Sequence, residues 1–294
     1  MEKLKLLDLF SGLGGMSLGL EKTGHFKTVA FCEWDNDCRK VLEHYWPGVH
    51  CFGDINQLTT THIYDGEDYL GEGKTQIHHK DIDVMAGGFS CQDVSKAKNK
   101  KTRKGVEGER SGVWKQYARL IGEVRPRYAI IENVEFLRKN GLGIVLNDLA
   151  KLGFNAEWGV FPATSVGLPH QRERLFIVAY RNSVGQQITH SGEGSPLQAD
   201  QKRKGEGLQE VGAQRESESG HVRQVFSRGA VESVLNSFPD RGAAIRSLRR
   251  VADGVPEGIS EQLRQKRIHQ LGNSVVPLIP QAIGMLILKH MGRI

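Results

Sequence analysis

Apolar residues fall along the first 180 positions in short runs, separated by amphipathic stretches of helical length. Runs at residues 4–10, 27–33, 49–55, 82–89, 128–134, 156–163 and 175–180 have strand length and strand composition. Between several of them lie helix-length stretches, at 15–23, 36–46, 113–124 and 143–152. Strands and helices alternating in this way predict an α/β fold built on a doubly wound, mostly parallel sheet. In such a sheet ligands bind beyond the carboxyl ends of the strands, so chemistry is expected in the residues that follow each run.

Past Arg181 the pattern changes. From Asn182 to about Gly229 the chain is rich in Gly, Gln, Ser, Glu and Arg and poor in large apolar residues. Such a stretch buries little core and reads as a small, loop-rich region. Apolar spacing resumes near 231–238. The segment 275–290, with Val276, Leu278, Ile279, Ile283, Leu286 and Ile287, predicts a helix that packs back on the sheet. Residues 59–80 read as a polar insertion. The expected division is therefore 1–181, 182–269 and 270–294.

Composition narrows the class. Hydrophobic residues make up 38% and charged residues 25% of the 294, as in globular proteins. No apolar run approaches the roughly 18 to 20 residues of a membrane span, and no signal-peptide pattern precedes the first strand. A cytoplasmic protein without membrane contact is expected. The formal charge of +6 favours a polyanionic partner. Cys32, Cys38, Cys51 and Cys91 form no CxxC pair, which argues for reduced thiols and against a disulfide or metal framework.

The first strand runs into Asp8-Leu9-Phe10-Ser11-Gly12-Leu13-Gly14-Gly15, a glycine turn that opens a helix. Such a turn lets a ligand approach backbone amides at a helix N-terminus, although many glycine turns are simply tight turns. Glu33, 21 residues after Gly12, stands where nucleotide-type sites place the carboxylate that bonds a ribose hydroxyl. The pattern is GxGG rather than GxGxxG, which disfavours a dinucleotide and leaves adenosyl cofactors. Asp54 follows the third strand on the same sheet edge.

The fourth strand ends in Gly87-Gly88-Phe89-Ser90-Cys91-Gln92. A lone cysteine is ordinarily a small core residue, but Cys91, just past a strand end, is placed as a nucleophile. Seven basic residues against two acidic ones follow within 96–110, with Gly105 and Gly108 among them. A basic stretch adjoining a nucleophile fits a phosphate-contacting loop. Glu132, at the end of the fifth strand, is a candidate general acid unless it merely opens a solvated loop. In His170-Gln171-Arg172-Glu173-Arg174 the two alternating arginines would share one face of an extended segment.

In order and rough spacing, DLFSGLGG (8–15), Glu33-Trp34, Gly53-Asp54-Ile55, GGFSCQ (87–92), Glu132-Asn133-Val134, QRER (171–174) and GNSVVP (272–277) resemble the cytosine-C5 DNA methyltransferases. The likeness covers the chain except about 182–269. It implies a Rossmann-like methyltransferase fold and S-adenosylmethionine as donor, leaving S-adenosylhomocysteine, with no metal. It also implies a flipped cytosine in double-stranded DNA as substrate. By the same resemblance Cys91 adds to cytosine C6, Glu132 stabilises charge at N3, and Arg174 positions the base with Arg172 in support. Phe10, Ser11, Gly12, Gly14, Gly15, Glu33, Trp34, Asp54, Ile55, Asn273 and Val275 would line the cofactor pocket. Ser95, Lys96, Lys98, Lys100, Lys101, Arg103 and Lys104 would form a DNA-binding loop. Residues 1–181 become the catalytic and cofactor domain, 182–269 the target-recognition region, and 270–294 a segment returning to the catalytic domain. A monomer of bacterial or phage origin is the expected setting, with or without a cognate restriction endonuclease. The chain departs from the family in having Ser90 where the family has proline and His170 where it has glutamine. An RNA cytosine-C5 methyltransferase on the same scaffold and a catalytically weakened DNA-binding relative remain alternatives. A nicotinamide-dependent oxidoreductase would explain neither Cys91 nor the basic stretch.

Overall fold

The computed structural model describes residues 1–65, 82–89, 112–166, 172–181, 225–238 and 275–294. Seven strands form one sheet: β1 (Leu4–Leu9), β2 (Phe26–Cys32), β3 (His50–Phe52), β4 (Val84–Gly88), β5 (Tyr128–Val134), β6 (Phe154–Pro162) and β7 (Glu173–Arg181). Their order across the sheet is β3-β2-β1-β4-β5-β7-β6. The pairings among the first five are parallel. Strand β7 runs antiparallel to both β5 and β6. The mixed, mostly parallel sheet agrees with the expectation from alternation. The antiparallel strand follows from chain length: only residues 163–172 join β6 to β7, too few for the dozen or so that a parallel crossover needs.

Side-chain parity divides the core into two faces. Leu7 and Leu9 of β1, with Ala129 and Ile131 of β5, face one cluster; Leu4 and Leu6, with Tyr128 and Ile130, face the other. Alternation along a strand requires this. The first face is covered by α3 (Thr60–Asp65), α4 (Gly112–Val124), α5 (Leu137–Asn140) and α6 (Leu142–Lys151). The opposite face is covered by α1 (Gly15–Glu21), α7 (Arg228–Asn236) and α8 (Leu278–His290). Helix α2 (Asn36–Tyr45) lies beside β3 and starts at Asp35, whose side chain accepts from the amides of Asp37 and Cys38.

Helix α4 buries Trp114, Tyr117, Leu120, Ile121 and Val124, a stripe at helical spacing. Helix α8 is buried over most of its surface, and its far end is tied to the sheet where the Tyr128 hydroxyl meets His290 Nδ1 at 2.9 Å. Phe226, Val231, Val234 and Leu235 pack into the same cluster as α8, so residues 225–238 join the layer on that face. The 59–80 stretch, read as a polar insertion, begins with α3. Its anchor is the fully buried Ile63, too sparse an apolar signal to stand out. The run read at 49–55 yields a strand of three residues, because the chain turns at 55–57.

Candidate active site

Strands β1, β2, β4 and β5 end on one edge of the sheet, and the antiparallel β7 begins there, with Arg174 paired opposite Val134. The glycine turn lies on this edge. Phe10 adopts φ 53°, a left-handed conformation rare for a residue with a side chain. Gly14 follows at φ 77°, and a side chain there would also strike the Trp46 ring. Gly15 lies so close to the Val275 carbonyl that a Cβ would overlap it. The C-terminal segment therefore braces the turn from below.

Helix α1 has no side-chain cap at Gly14. Asp8 on the neighbouring strand takes that role, its Oδ2 accepting from the Ser17 amide at 3.2 Å and the Ser17 hydroxyl at 2.6 Å. Burial pushes the Asp8 carboxyl up to about 7, against the lowering effect of the Ser17 bonds. Ser11 is buried and its hydroxyl donates to the Asp8 carbonyl, so it shapes the turn.

Glu33 lies one residue past β2. One carboxylate oxygen accepts from the Gly12 amide and the other from the Asp35 amide, both at 2.7 Å. The carboxylate is thus held at the mouth of the turn with lone pairs still available. Beside it opens a cleft of about 300 Å³ lined by Phe10, Cys32, Trp34, Gly53, Asp54, Ile55, Asn56 and Val113. Trp34 is 76% exposed, an unusual state for a tryptophan that lines a cleft. The sequence had singled out Phe10, Trp34, Asp54 and Ile55. Gly53 stood in the same motif without being assigned to the pocket, and Cys32, Asn56 and Val113 were missed; of these three only Val113 carries a signal, as the first apolar residue of a predicted helix.

Glu132 is not the start of a solvated loop. It lies within β5, buried, with Oε1 2.8 Å from Arg174 Nε. The register explains the contact, since Arg174 opposes Val134 and the two side chains are diagonal neighbours across the β5–β7 pair. Burial raises the Glu132 carboxyl, while Arg174 and then Arg172 pull it down; burial wins. Burial also lowers Arg172 to about 10, helped by the like charge of Arg174 and opposed by Glu132. Gly88, opposite Glu132 on β4, leaves the space this carboxyl occupies: a Cβ there would stand 2.5 Å from Oε2.

Asn133 Nδ2 donates to the Phe89 carbonyl at 3.0 Å and so fixes the strand end two residues before Cys91. The motif contained this residue, but nothing in the sequence indicated its task. Cys91 lies outside the described residues, as do Asn273 and the stretch Ser95, Lys96, Lys98, Lys100, Lys101, Arg103 and Lys104. The other three cysteines are poor nucleophiles. Burial raises all three thiols, Cys51 to about 11, Cys38 to about 12 and Cys32 further still.

One edge of a Rossmann-like sheet thus gathers a glycine turn, an acidic residue after β2, and a buried Glu–Arg pair one strand beyond β4. A sequence model of the C-5 cytosine-specific DNA methylase family matches residues 4–233, and the chain belongs to that family. Among its curated relatives, the type II methyltransferase M.Sau3AI of Staphylococcus aureus is 30% identical over 206 residues, covering 67% of this chain and 48% of the relative. M.DsaV of Dactylococcopsis salina is 33% identical over 188 residues, covering 62% and 48%. The chain thus spans less than half the length of these relatives. Two solved structures share the fold: S. pombe Dnmt2 methyltransferase (TM-score 0.56, 19% identity, 98% of this chain and 99% of that one) and Entamoeba histolytica methyltransferase EhMeth (TM-score 0.58, 11% identity, the same coverage).

Proposed function

We propose that the protein is a DNA (cytosine-5-)-methyltransferase. The observation that carries the reading is the buried Glu132–Arg174 pair at 2.8 Å, on the sheet edge from which the chain continues to Cys91. A carboxyl raised by burial keeps a proton that a solvated glutamate would lose, which suits a hydrogen bond to cytosine N3. Arg174 and Arg172 would hold this carboxyl and the base edge in place.

The cofactor fit rests on the glycine turn, where Gly12 in a left-handed conformation faces open space, and on the cleft beside it. Glu33, Trp34, Asp54, Ile55 and Phe10 would hold S-adenosylmethionine, with Ser11, Gly12 and Val275 shaping the turn and Asn273 completing the pocket. When bound, that cofactor would supply an electrophilic methyl group. Cys91, as thiolate, forms a bond to cytosine C6 and turns C5 into an enamine-like nucleophile able to take the methyl. Loss of the C5 proton and departure of Cys91 then restore the ring. The base must leave the stack for Cys91 to reach it.

The basic residues of 95–104 would contact DNA phosphates, and specificity would belong to residues 182–269 outside the packed 225–238 stretch. A monomer acting on duplex DNA beside a cognate restriction endonuclease completes the reading. Bisulfite sequencing of DNA from cells expressing the protein tests it. Protected cytosines in one recurrent sequence are expected, and Cys91→Ala should abolish them while binding S-adenosylhomocysteine nearly as well. Unprotected DNA from cells making folded protein would refute the assignment.

A further inference from the structure

Asp54 and Ile55, which line the cleft, belong to a lone helical turn. The amides of Gln57 and Leu58 donate to the Asp54 carbonyl at 3.0 and 3.1 Å, and Asp54 Oδ1 accepts from the Asn56 amide and side chain at 2.9 and 2.8 Å. The turn is not continued: α3 starts only at Thr60. Carbonyls at the end of such a turn find no partner within it. Here the partner comes from another element. Arg119 of α4 donates from Nη2 to the carbonyls of Leu58 at 2.7 Å and Ile55 at 3.4 Å.

Nothing about the guanidinium is loose. Its Nε donates to Gln116 Oε1 at 2.7 Å, and Nη1 donates to both oxygens of Glu123 at 3.0 Å. Gln116 and Glu123 flank Arg119 at i−3 and i+4, so α4 itself aims the fork at the turn. The same helix contributes Val113 to the cleft wall. Two parts of one cleft are thereby joined by a single side chain 61 and 64 positions away from its acceptors.

We propose that Arg119 is a positioning residue of the cofactor pocket, fixing the Asp54–Leu58 turn against α4 so that Asp54 and Ile55 meet the nucleoside end of the ligand in a preset conformation. This deepens the cofactor assignment made above and rests on it. A preset pocket binds without first ordering its own backbone, so the gain lies in affinity and not in the chemical step.

The test is calorimetric titration of the full chain with S-adenosylhomocysteine, alongside methyl-transfer kinetics with varied S-adenosylmethionine. Wild-type protein must bind; absence of binding would overturn the cofactor assignment itself, apart from any role of Arg119. A hydrogen bond from a charged donor is worth a factor of about ten or more. Arg119→Met should therefore raise the Kd and the donor KM about tenfold, with kcat at saturation within about twofold of wild type. Arg119→Lys keeps a donor within reach of the carbonyls but loses the fork to Glu123, and should recover part of the affinity. If Arg119→Met does not fold, intermediate Kd and KM in Arg119→Lys at unchanged kcat would support the proposal equally. Unchanged Kd in a folded variant would overturn the proposal. So would an equal fall in kcat and kcat/KM with a lowered melting temperature, the mark of a general structural staple.

Discussion

Glu132 is pulled in two directions, by burial toward the neutral acid and by two arginines toward the carboxylate. Its net shift is upward. The protonated form, which under the proposed function would serve cytosine N3, is therefore favoured to higher pH than in a solvated glutamate, and the rate should decline as pH rises through the Glu132 pKa. Removing one guanidinium removes a lowering influence. Arg174→Met should thus move the descending limb of the kcat–pH profile to higher pH while reducing the rate itself; a limb that stays put or moves down would detach Arg174 from Glu132. The sequence revealed the residue types here, a carboxyl after an apolar strand and alternating arginines, but not their meeting. That contact depends on β7 running antiparallel to β5, and no local pattern encodes strand direction. The Arg119 clamp was equally hidden, because an arginine on an amphipathic helix looks like any solvated charge until the fold supplies its acceptors.

Among the elements, α1 and α8 show how the C-terminal segment supports the glycine turn. Gly15 and Gly19 lie one turn apart on α1, and each meets backbone of the C-terminal segment, Gly15 at the Val275 carbonyl and Gly19 at that of Pro277. On an exposed helix, replacing glycine by alanine stabilises by about 1 kcal/mol. At Gly19 the added methyl has nowhere to go, and overpacking typically costs about 1–3 kcal/mol. Gly19→Ala should therefore destabilise the protein in urea titration, a sign opposite to helix propensity; stabilisation would mean that α8 does not press on α1. The strands and long helices were legible as elements because periodicity and length agree. Helix α3 was not, since a single buried Ile63 makes no periodic stripe. The glycine pair was visible as composition, though its reason lay in a segment more than 250 residues away.

Across the whole molecule, one sheet edge gathers what the chain distributes over its length. The turn at 10–15, Glu33 and the 54–58 turn surround a cleft on the β1–β2–β3 side; β4 leads toward Cys91; Glu132 and Arg174 stand on the β5–β7 side. Under the proposed function, the order across the sheet would set the donor pocket on one side of β4 and the base-holding pair on the other, as transfer from a bound donor to a bound base requires. Under the proposed function, Cys91 attacks cytosine C6. A duplex carrying 5-fluorocytosine at the methylated position tests it most directly, because fluorine at C5 blocks the proton loss that would release the enzyme. Incubated with S-adenosylmethionine, the protein should form a denaturation-resistant adduct that peptide mass spectrometry places on Cys91 and that Cys91→Ala abolishes. An adduct on Cys32, Cys38 or Cys51, or none despite turnover on the unmodified duplex, would contradict the account.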